Sequence, residues 1–520
     1  MMKTKTLFTR RDFTTALFAV PAAVRAQSAP LRARVKIDTE RTIGAIDPLI
    51  YGNFIEHLGR CIEGGVFDEG SPLSDSNGYR RDVLDAAKKL NVTILRWPGG
   101  NFSSNYHWKD GIGPRDKRPP RLEMAWGTTE SNRFGTHEFL QYASMLGTQP
   151  YICCNLGTGT WDEAQQWVEY VNSSADTEMT RWRKQNGRAE PWKCTYWGLG
   201  NEMDGPWQMG HRSADDYGKF ALEAAKLMKW TDPSIKLIAA GSSNFGPGVD
   251  WIGWNRTVLE YLRRHADYLA LHIYVGNRDN NYAEYLASAV EMDNRTKTAE
   301  GLINAALSNE PRNRRIHIAW DEWNVWYRAR GEKERGRRIL EERYNLEDAL
   351  VVATFLNSFI NHAHIVKMAN MAQLVNVIAP MFTNEKSMFL QTIYYPLALF
   401  ANNSKGTALE LHVESPKYES RRFGDVRYLD TSAAYDHASL VLNLVNRHRD
   451  QPIEAEFVLQ DKSFAGPAEV AEVAGPDVKA ENDFGSTKIQ TATRTTSASG
   501  QILRYTVPPR SYTMIKCKVS

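Results

Sequence analysis

The chain has 520 residues, of which 42% are hydrophobic, with 64 Lys and Arg against 61 Asp and Glu for a net charge of +3. That length exceeds what one hydrophobic core usually supports, so a large domain with a smaller companion is expected. The near balance of charge offers no basic field for nucleic acid or an anionic membrane surface, and both are set aside as partners.

From the N-terminus, Thr9-Arg10-Arg11-Asp12-Phe13 precedes an apolar run at residues 16–24, and Val24-Arg25-Ala26 offers a small-residue cleavage site. Twin arginines before a modest apolar segment resemble a twin-arginine export signal over residues 1–26. An exported protein, periplasmic or secreted, is therefore expected. No later apolar run reaches the ~20 residues needed to span a bilayer, so no membrane association is expected after cleavage.

Leu31 to Thr42 alternates like a strand through Ala33, Val35 and Ile37, and the segment 27–44 is expected to join a β-rich domain further on. From residue 45 to 400 a rhythm sets in, with eight apolar runs at 49–54, 92–97, 150–155, 196–201, 236–241, 268–274, 316–320 and 364–372. Amphipathic segments at 79–90, 135–146, 161–172, 214–229, 254–265 and 346–361 lie between them. Repeated strand–helix units of this number predict an α/β fold, a (β/α)8 barrel of the TIM type. A doubly wound sheet is the alternative, but no G-x-G-x-x-G follows a strand to open a helix. Over residues 401–520 helical spacing gives way to short alternating runs separated by Ser, Thr, Gly, Asp and Asn, which predicts an all-β, jelly-roll-like sandwich. Cys61, Cys153, Cys154, Cys194 and Cys517 are too few and scattered for a disulfide framework, and buried free thiols are expected.

Two runs carry the chemistry. Tyr196-Trp197-Gly198-Leu199-Gly200-Asn201-Glu202 climbs to an Asn-Glu pair and breaks at Gly205-Pro206, and Ile316-His317-Ile318-Ala319-Trp320-Asp321-Glu322 has the same form. Each reads as a buried parallel strand that delivers a carboxylate to the C-terminal mouth of a barrel. Hydrolysis through an oxocarbenium-like transition state needs one protonated and one ionised carboxyl, held in different environments. Glu202, with Trp207 as an apolar neighbour, is assigned as general acid/base, and Glu322 as nucleophile. Strand alternation should turn Asp321 outward to the helices, and Asp204 falls in the loop.

Glu56, Asn101, Tyr274 and Gln373 also fall at or just past strand ends. Asn and Gln offer a hydroxyl both a donor and an acceptor, which suits a neutral polyol. Blander readings stand beside these: Asn101 as a turn residue, Arg96 as one half of an ion pair at the barrel bottom, His272 and Tyr274 as packed core. The basic stretches 109–121 and 328–343 read as solvated faces that could also rim a cleft. The 12 histidines show no H-E-x-x-H spacing, and neither a metal nor a cofactor is expected.

Four long motifs together carry a resemblance. Tyr51-Gly52-Asn53-Phe54-Ile55-Glu56-His57-Leu58-Gly59, Arg96-Trp97-Pro98-Gly99-Gly100-Asn101-Phe102, Gly198-Leu199-Gly200-Asn201-Glu202-Met203-Asp204-Gly205-Pro206-Trp207 and Asp321-Glu322-Trp323-Asn324-Val325-Trp326-Tyr327 resemble glycoside hydrolase family 51, the α-L-arabinofuranosidases. Met371-Ala372-Gln373-Leu374-Val375-Asn376 is similar to that family's eighth-strand segment. The resemblance implies a retaining double displacement that releases terminal L-arabinofuranosyl groups from arabinoxylan, arabinan or their oligosaccharides. It implies that Glu56, Asn101, Asn201 and Gln373 bind the sugar hydroxyls, that Trp126 walls the pocket, and that Arg96 and Tyr274 support Glu322. His272 joins the supporting set. Assembly as a homo-oligomer, a hexamer, is also implied. The rivals are a related retaining enzyme acting on a xyloside or inside a glucan, and a carbohydrate-binding protein without turnover.

Overall fold

The structure is a computed structural model that describes residues 30–329 and 338–520. The leader at residues 1–26 and part of the 328–343 stretch lie outside the described residues.

The first strand, β1 (Leu31–Ala45), runs antiparallel to Thr407–Glu414 and parallel to Ile453–Leu459. The chain then enters a closed barrel. Its strands are β2 (Gly52–Phe54), β3 (Ile94–Trp97), β6 (Gln149–Cys153), β7 (Tyr196–Leu199), β8 (Lys236–Ala239), β9 (Tyr268–Val275), β10 (His317–Val325) and β11 (Val366–Ala372), all parallel. A hairpin of β4 (Arg121–Glu123) and β5 (Thr128–Glu130) leaves the mouth after β3. The barrel helices include α1 (Arg81–Leu90), α2 (Thr136–Leu146), α3 (Trp161–Asn172), α4 (Glu178–Gln185), α5 (Ala214–Thr231), α6 (Trp251–Leu262), α7 (Tyr282–Leu286), α8 (Ala289–Ala306), α9 (Leu346–Asn361) and α10 (Tyr394–Asn403).

Local sequence explains much of this. Both faces of a barrel strand are covered, so strands read as continuous apolar runs. Helix starts are capped: Thr160, Ser213, Asp250 and Asn345 each accept a backbone N–H from the first turn. The α8 helix escapes the sequence reading because its buried stripe is thin, Ala289, Met292, Thr296, Ala299 and Ile303.

The later strands form a nine-stranded sheet with β1. Between Thr407–Glu414 and Leu429–Asp436 only Thr407↔Tyr435 and Ala408↔Ala434 are paired. Across that narrow joint the two halves fold over a shared core, Val35, Ile37 and Leu409 from one and Leu440, Leu442 and Ile515 from the other. The α9 helix is apolar nearly all round because it lies between barrel and sheet, where Asn357 donates to Asp430 at 2.6 Å and accepts from Ser432 at 2.7 Å. All five cysteines are buried and unbridged. Among the described residues no helix is long and apolar enough to cross a membrane.

Candidate active site

The site residues come from strand ends and the loops just beyond them. After β3 the chain turns through Gly99 and Gly100, both at positive φ. A Cβ on Gly100 would lie 2.2 Å from Glu56 Oε2, and one on Gly99 would lie 2.1 Å from the Phe54 ring. Glycine lets this turn press against the end of β2 and hold Glu56 in the mouth.

Glu202 follows β7 with φ at 45°, a left-handed conformation that costs a non-glycine residue about 1 kcal/mol or more. The turn aims its carboxylate inward, where Oε2 accepts from Trp207 Nε1 at 2.5 Å and Oε1 from His272 Nδ1 at 2.9 Å. Burial, and next the negative charge of Glu322, push this carboxyl above its ordinary pKa. Trp207 acts opposite to the sequence expectation. It is 49% exposed, and its N–H stabilises the carboxylate instead of desolvating it.

Glu322 lies in β10 and is buried. Its oxygens accept from Tyr274 Oη at 2.6 Å and Arg96 Nη1 at 2.9 Å. Glu202, His272 and Glu322 bring one polar atom each within 4.8 Å of one another. A retaining pair stands about 5 Å apart, whereas an inverting pair at about 6.5–9.5 Å makes room for a water. Both oxygens of Glu322 are already taken by a guanidinium and a phenol, and an imidazole faces Glu202. That environment suits a sugar, and none of the three is read as a metal ligand.

Around the pair, Glu56 accepts from Phe102 N at 3.1 Å, Trp126 Nε1 at 3.0 Å and Gln373 Nε2 at 2.9 Å. Burial, then the charge of Glu322, raises its pKa to about 8. The Trp126 indole reaches Glu56 from the β4–β5 hairpin, which is anchored by His57 Nδ1 to Glu130 Oε2 at 2.8 Å. Arg96 donates from Nη2 to Asn201 Oδ1 at 2.5 Å. Asn101 stands half-buried at the head of a 3-10 turn, Asn101–Asn105. Among the described residues Asn201 Nδ2 and Gln373 Oε1 are buried without a hydrogen-bond partner.

Arg96 is at the mouth, not the bottom. Asp321 also departs from expectation, because it points into the barrel and is 2% exposed. Its Oδ2 accepts from Tyr151 Oη at 2.8 Å and lies 3.5 Å from Arg96 Nε, and Oδ1 is 3.2 Å from His272 Nε2. The cause is a slip in register: β10 pairs with β9 at Ala319↔Ala270 and next at Glu322↔His272. The extra residue suspends alternation, so Asp321 and Glu322 both face the centre while Trp320 and Trp323 pack outward, against Thr296 and Phe359. Tyr151, on the inner face of β6, was not anticipated, although alternation around Cys153 places it there. Asp204 accepts from Ser243 N at 2.8 Å and Asn244 N at 2.9 Å, which ties the loops after β7 and β8 together.

Known proteins resemble this chain in sequence and fold. Residues 86–291 match the family model "Alpha-L-arabinofuranosidase 1 domain" and residues 321–511 match "Alpha-L-arabinofuranosidase C-terminal domain". The chain is 40% identical to an intracellular exo-α-(1→5)-L-arabinofuranosidase 1 of Bacillus subtilis, over 94% of this chain and 99% of that protein. A second, from Halalkalibacterium halodurans, is 40% identical over 84% of this chain and 88% of its own length. Among solved structures, a family 51 α-L-arabinofuranosidase from Bifidobacterium longum superposes with a TM-score of 0.87 at 31% identity, covering 94% of this chain and all of that one (100%). The expectation of an export signal and an exported protein is overturned, because both of these bacterial relatives are named as intracellular.

Proposed function

The chain belongs to the α-L-arabinofuranosidases of glycoside hydrolase family 51, and from that premise we propose a retaining, exo-acting α-L-arabinofuranosidase with Glu202 as general acid/base and Glu322 as nucleophile. The observation that carries this reading is the convergence of the two carboxylates within 4.8 Å, each in a different setting.

Glu322 attacks the anomeric carbon while the bond to the leaving oxygen breaks, and Glu202 gives that oxygen its proton. Glu202 then takes a proton from the water that frees the sugar from Glu322. Arg96 and Tyr274 hold the attacking carboxylate still, which favours a near-attack geometry. Glu56, Asn101, Asn201, Gln373 and Trp126 form the pocket for one furanose. The unpartnered Asn201 Nδ2 and Gln373 Oε1 supply a donor and an acceptor for its hydroxyls. Terminal arabinofuranosyl groups of arabinan, arabinoxylan or their oligosaccharides are the substrates this pocket suits. Assembly as a hexamer goes with the proposal and is checked by sedimentation of the full chain, a monomer counting against it.

The test is a panel of aryl glycosides with the product anomer followed by NMR. Release of arabinose with its configuration kept supports the reading. Inversion, or cleavage only of xylosides or of internal glucan bonds, rejects it.

A further inference from the structure

We propose that Asp321 is a positioning residue that fixes His272 as an imidazolium beside Glu202, so that the buried centre stays electroneutral through both chemical steps. This rests on the reading of Glu202 and Glu322 given above.

The geometry is a line of contacts. Asp321 Oδ1 lies 3.2 Å from His272 Nε2, and His272 Nδ1 lies 2.9 Å from Glu202 Oε1 and 3.6 Å from Glu322 Oε2. Asp321 touches neither catalytic carboxylate through its side chain. The centre is buried on its inner side, with Arg96 1% exposed, Asp321 2%, His272 5% and Glu322 7%, while Glu202 is partly open toward the mouth. In such a place an unbalanced charge is far more expensive than in water.

The charges facing His272 come from each strand packed against it. Glu202 projects from beyond β7, Asp321 and Glu322 from β10, and Arg96 from β3. Glu56, just past β2, has its pKa raised by burial to about 8 and is neutral at pH 7, and Tyr151 and Cys153 of β6 and Tyr274 of β9 are likewise raised by burial and neutral. Burial works against an imidazolium, yet Glu322, Asp321 and Glu202 outweigh it and push His272 up to about 10. Burial likewise opposes an ionised Asp321, but Arg96 and His272 hold it below the usual carboxylate range.

With Glu202 protonated, the cations Arg96 and His272 face the anions Asp321 and Glu322. In the first step a Glu322 oxygen bonds to the anomeric carbon. The glycosidic electron pair leaves with the aglycone oxygen, which takes the proton of Glu202. Glu322 loses its charge as Glu202 gains one. In the second step water supplies the new bond and returns a proton to Glu202, and the electron pair of the broken ester returns to Glu322. The anions remain two at each stage, opposite the same two cations.

The test is the pH dependence of kcat/KM on an aryl arabinofuranoside, using the full chain. With Glu322 and Glu202 still favouring a charged His272, Asp321→Asn leaves a surplus positive charge that repels an oxocarbenium and makes Glu202 release its proton sooner. The basic limb should move down by about one pH unit and kcat/KM at neutral pH should fall roughly 10- to 100-fold. His272→Gln leaves a surplus negative charge, and its basic limb should move up. The double variant restores neutrality and should recover both limb and rate toward the parent. Shifts in the same direction, or a double variant impaired by the product of the single losses, would overturn the proposal. If Asp321→Asn does not fold, the upward limb of His272→Gln decides alone, an unmoved limb rejecting the idea. Failure of the underlying assignment shows separately, as turnover on natural arabinofuranosyl linkages retained by Glu202→Ala.

Discussion

At the scale of single residues, identical side chains behave differently because their neighbours differ. Glu202, Glu322 and Glu56 share one mouth. Glu202 meets an indole and an imidazole, Glu322 a guanidinium and a phenol, and Glu56 an amide side chain, an indole and a backbone N–H. Glu322→Ala should lose essentially all turnover on every arabinofuranoside. Glu202→Ala should lose it on natural linkages yet keep part of it on aryl substrates with acidic leaving groups, which need little proton donation. A leaving-group series measures this, and equal losses across the series would count against Glu202 as the acid. Glu56 gives a stability prediction. Its folded pKa of about 8 lies above the unfolded value of about 4.5, so the folded state holds the proton more tightly. That contribution is complete below pH 4.5 and is lost as pH rises through 8, by about 1.4 kcal/mol per pH unit. Thermal unfolding followed from pH 5 to 9 should therefore fall less steeply for Glu56→Gln than for the parent.

At the scale of elements, the decisive features are a turn and a bulge. The Gly99-Gly100 turn lets the end of β3 lie against Glu56, and the register slip in β10 brings adjacent acids to one face. Gly100→Ala would set a methyl 2.2 Å from Glu56 Oε2 at a φ of 59°. The turn must move, so a loss of about 1–3 kcal/mol is expected together with a large fall in kcat. Calorimetry and steady-state kinetics on one preparation would check this, and a stable, fully active variant would refute it. The barrel strands and the helices at 161–172 and 346–361 were readable because run length and 3.6-residue spacing are local properties. The β4–β5 hairpin was not, since strands of three residues carry too little pattern. Asp321 was misread because alternation holds only while pairing is regular, and irregularity in pairing is invisible in one strand alone.

At the scale of the whole molecule, the sheet domain braces the barrel. Its Lys479 reaches Glu347 of α9 at 2.5 Å, and Glu347 is fully buried. Asn482 donates to Leu390 O at 3.1 Å, which ties the same loop to the strand at Met388–Leu390, and to Ile489 O at 2.7 Å, which closes the loop on itself. Lys479→Ala would leave a buried carboxylate with only the longer contacts from Asn277 and Tyr327, at 3.3 and 3.5 Å. Because the lysine is itself partly exposed, a loss of about 1–3 kcal/mol is expected, with activity on an aryl arabinofuranoside unchanged at 25 °C. Thermal unfolding with parallel assays would reveal it, and an unchanged melting temperature would mean that the contact contributes nothing. The sequence by itself determined the (β/α)8 order, the β-rich end and the two glutamates at matching strand ends, because each is written in consecutive residues. Only the tertiary structure decided how the inner faces meet: Tyr151, Arg96, Asp321 and His272 are remote in the chain, and their shared charge balance exists only once eight strands close and set one another's register.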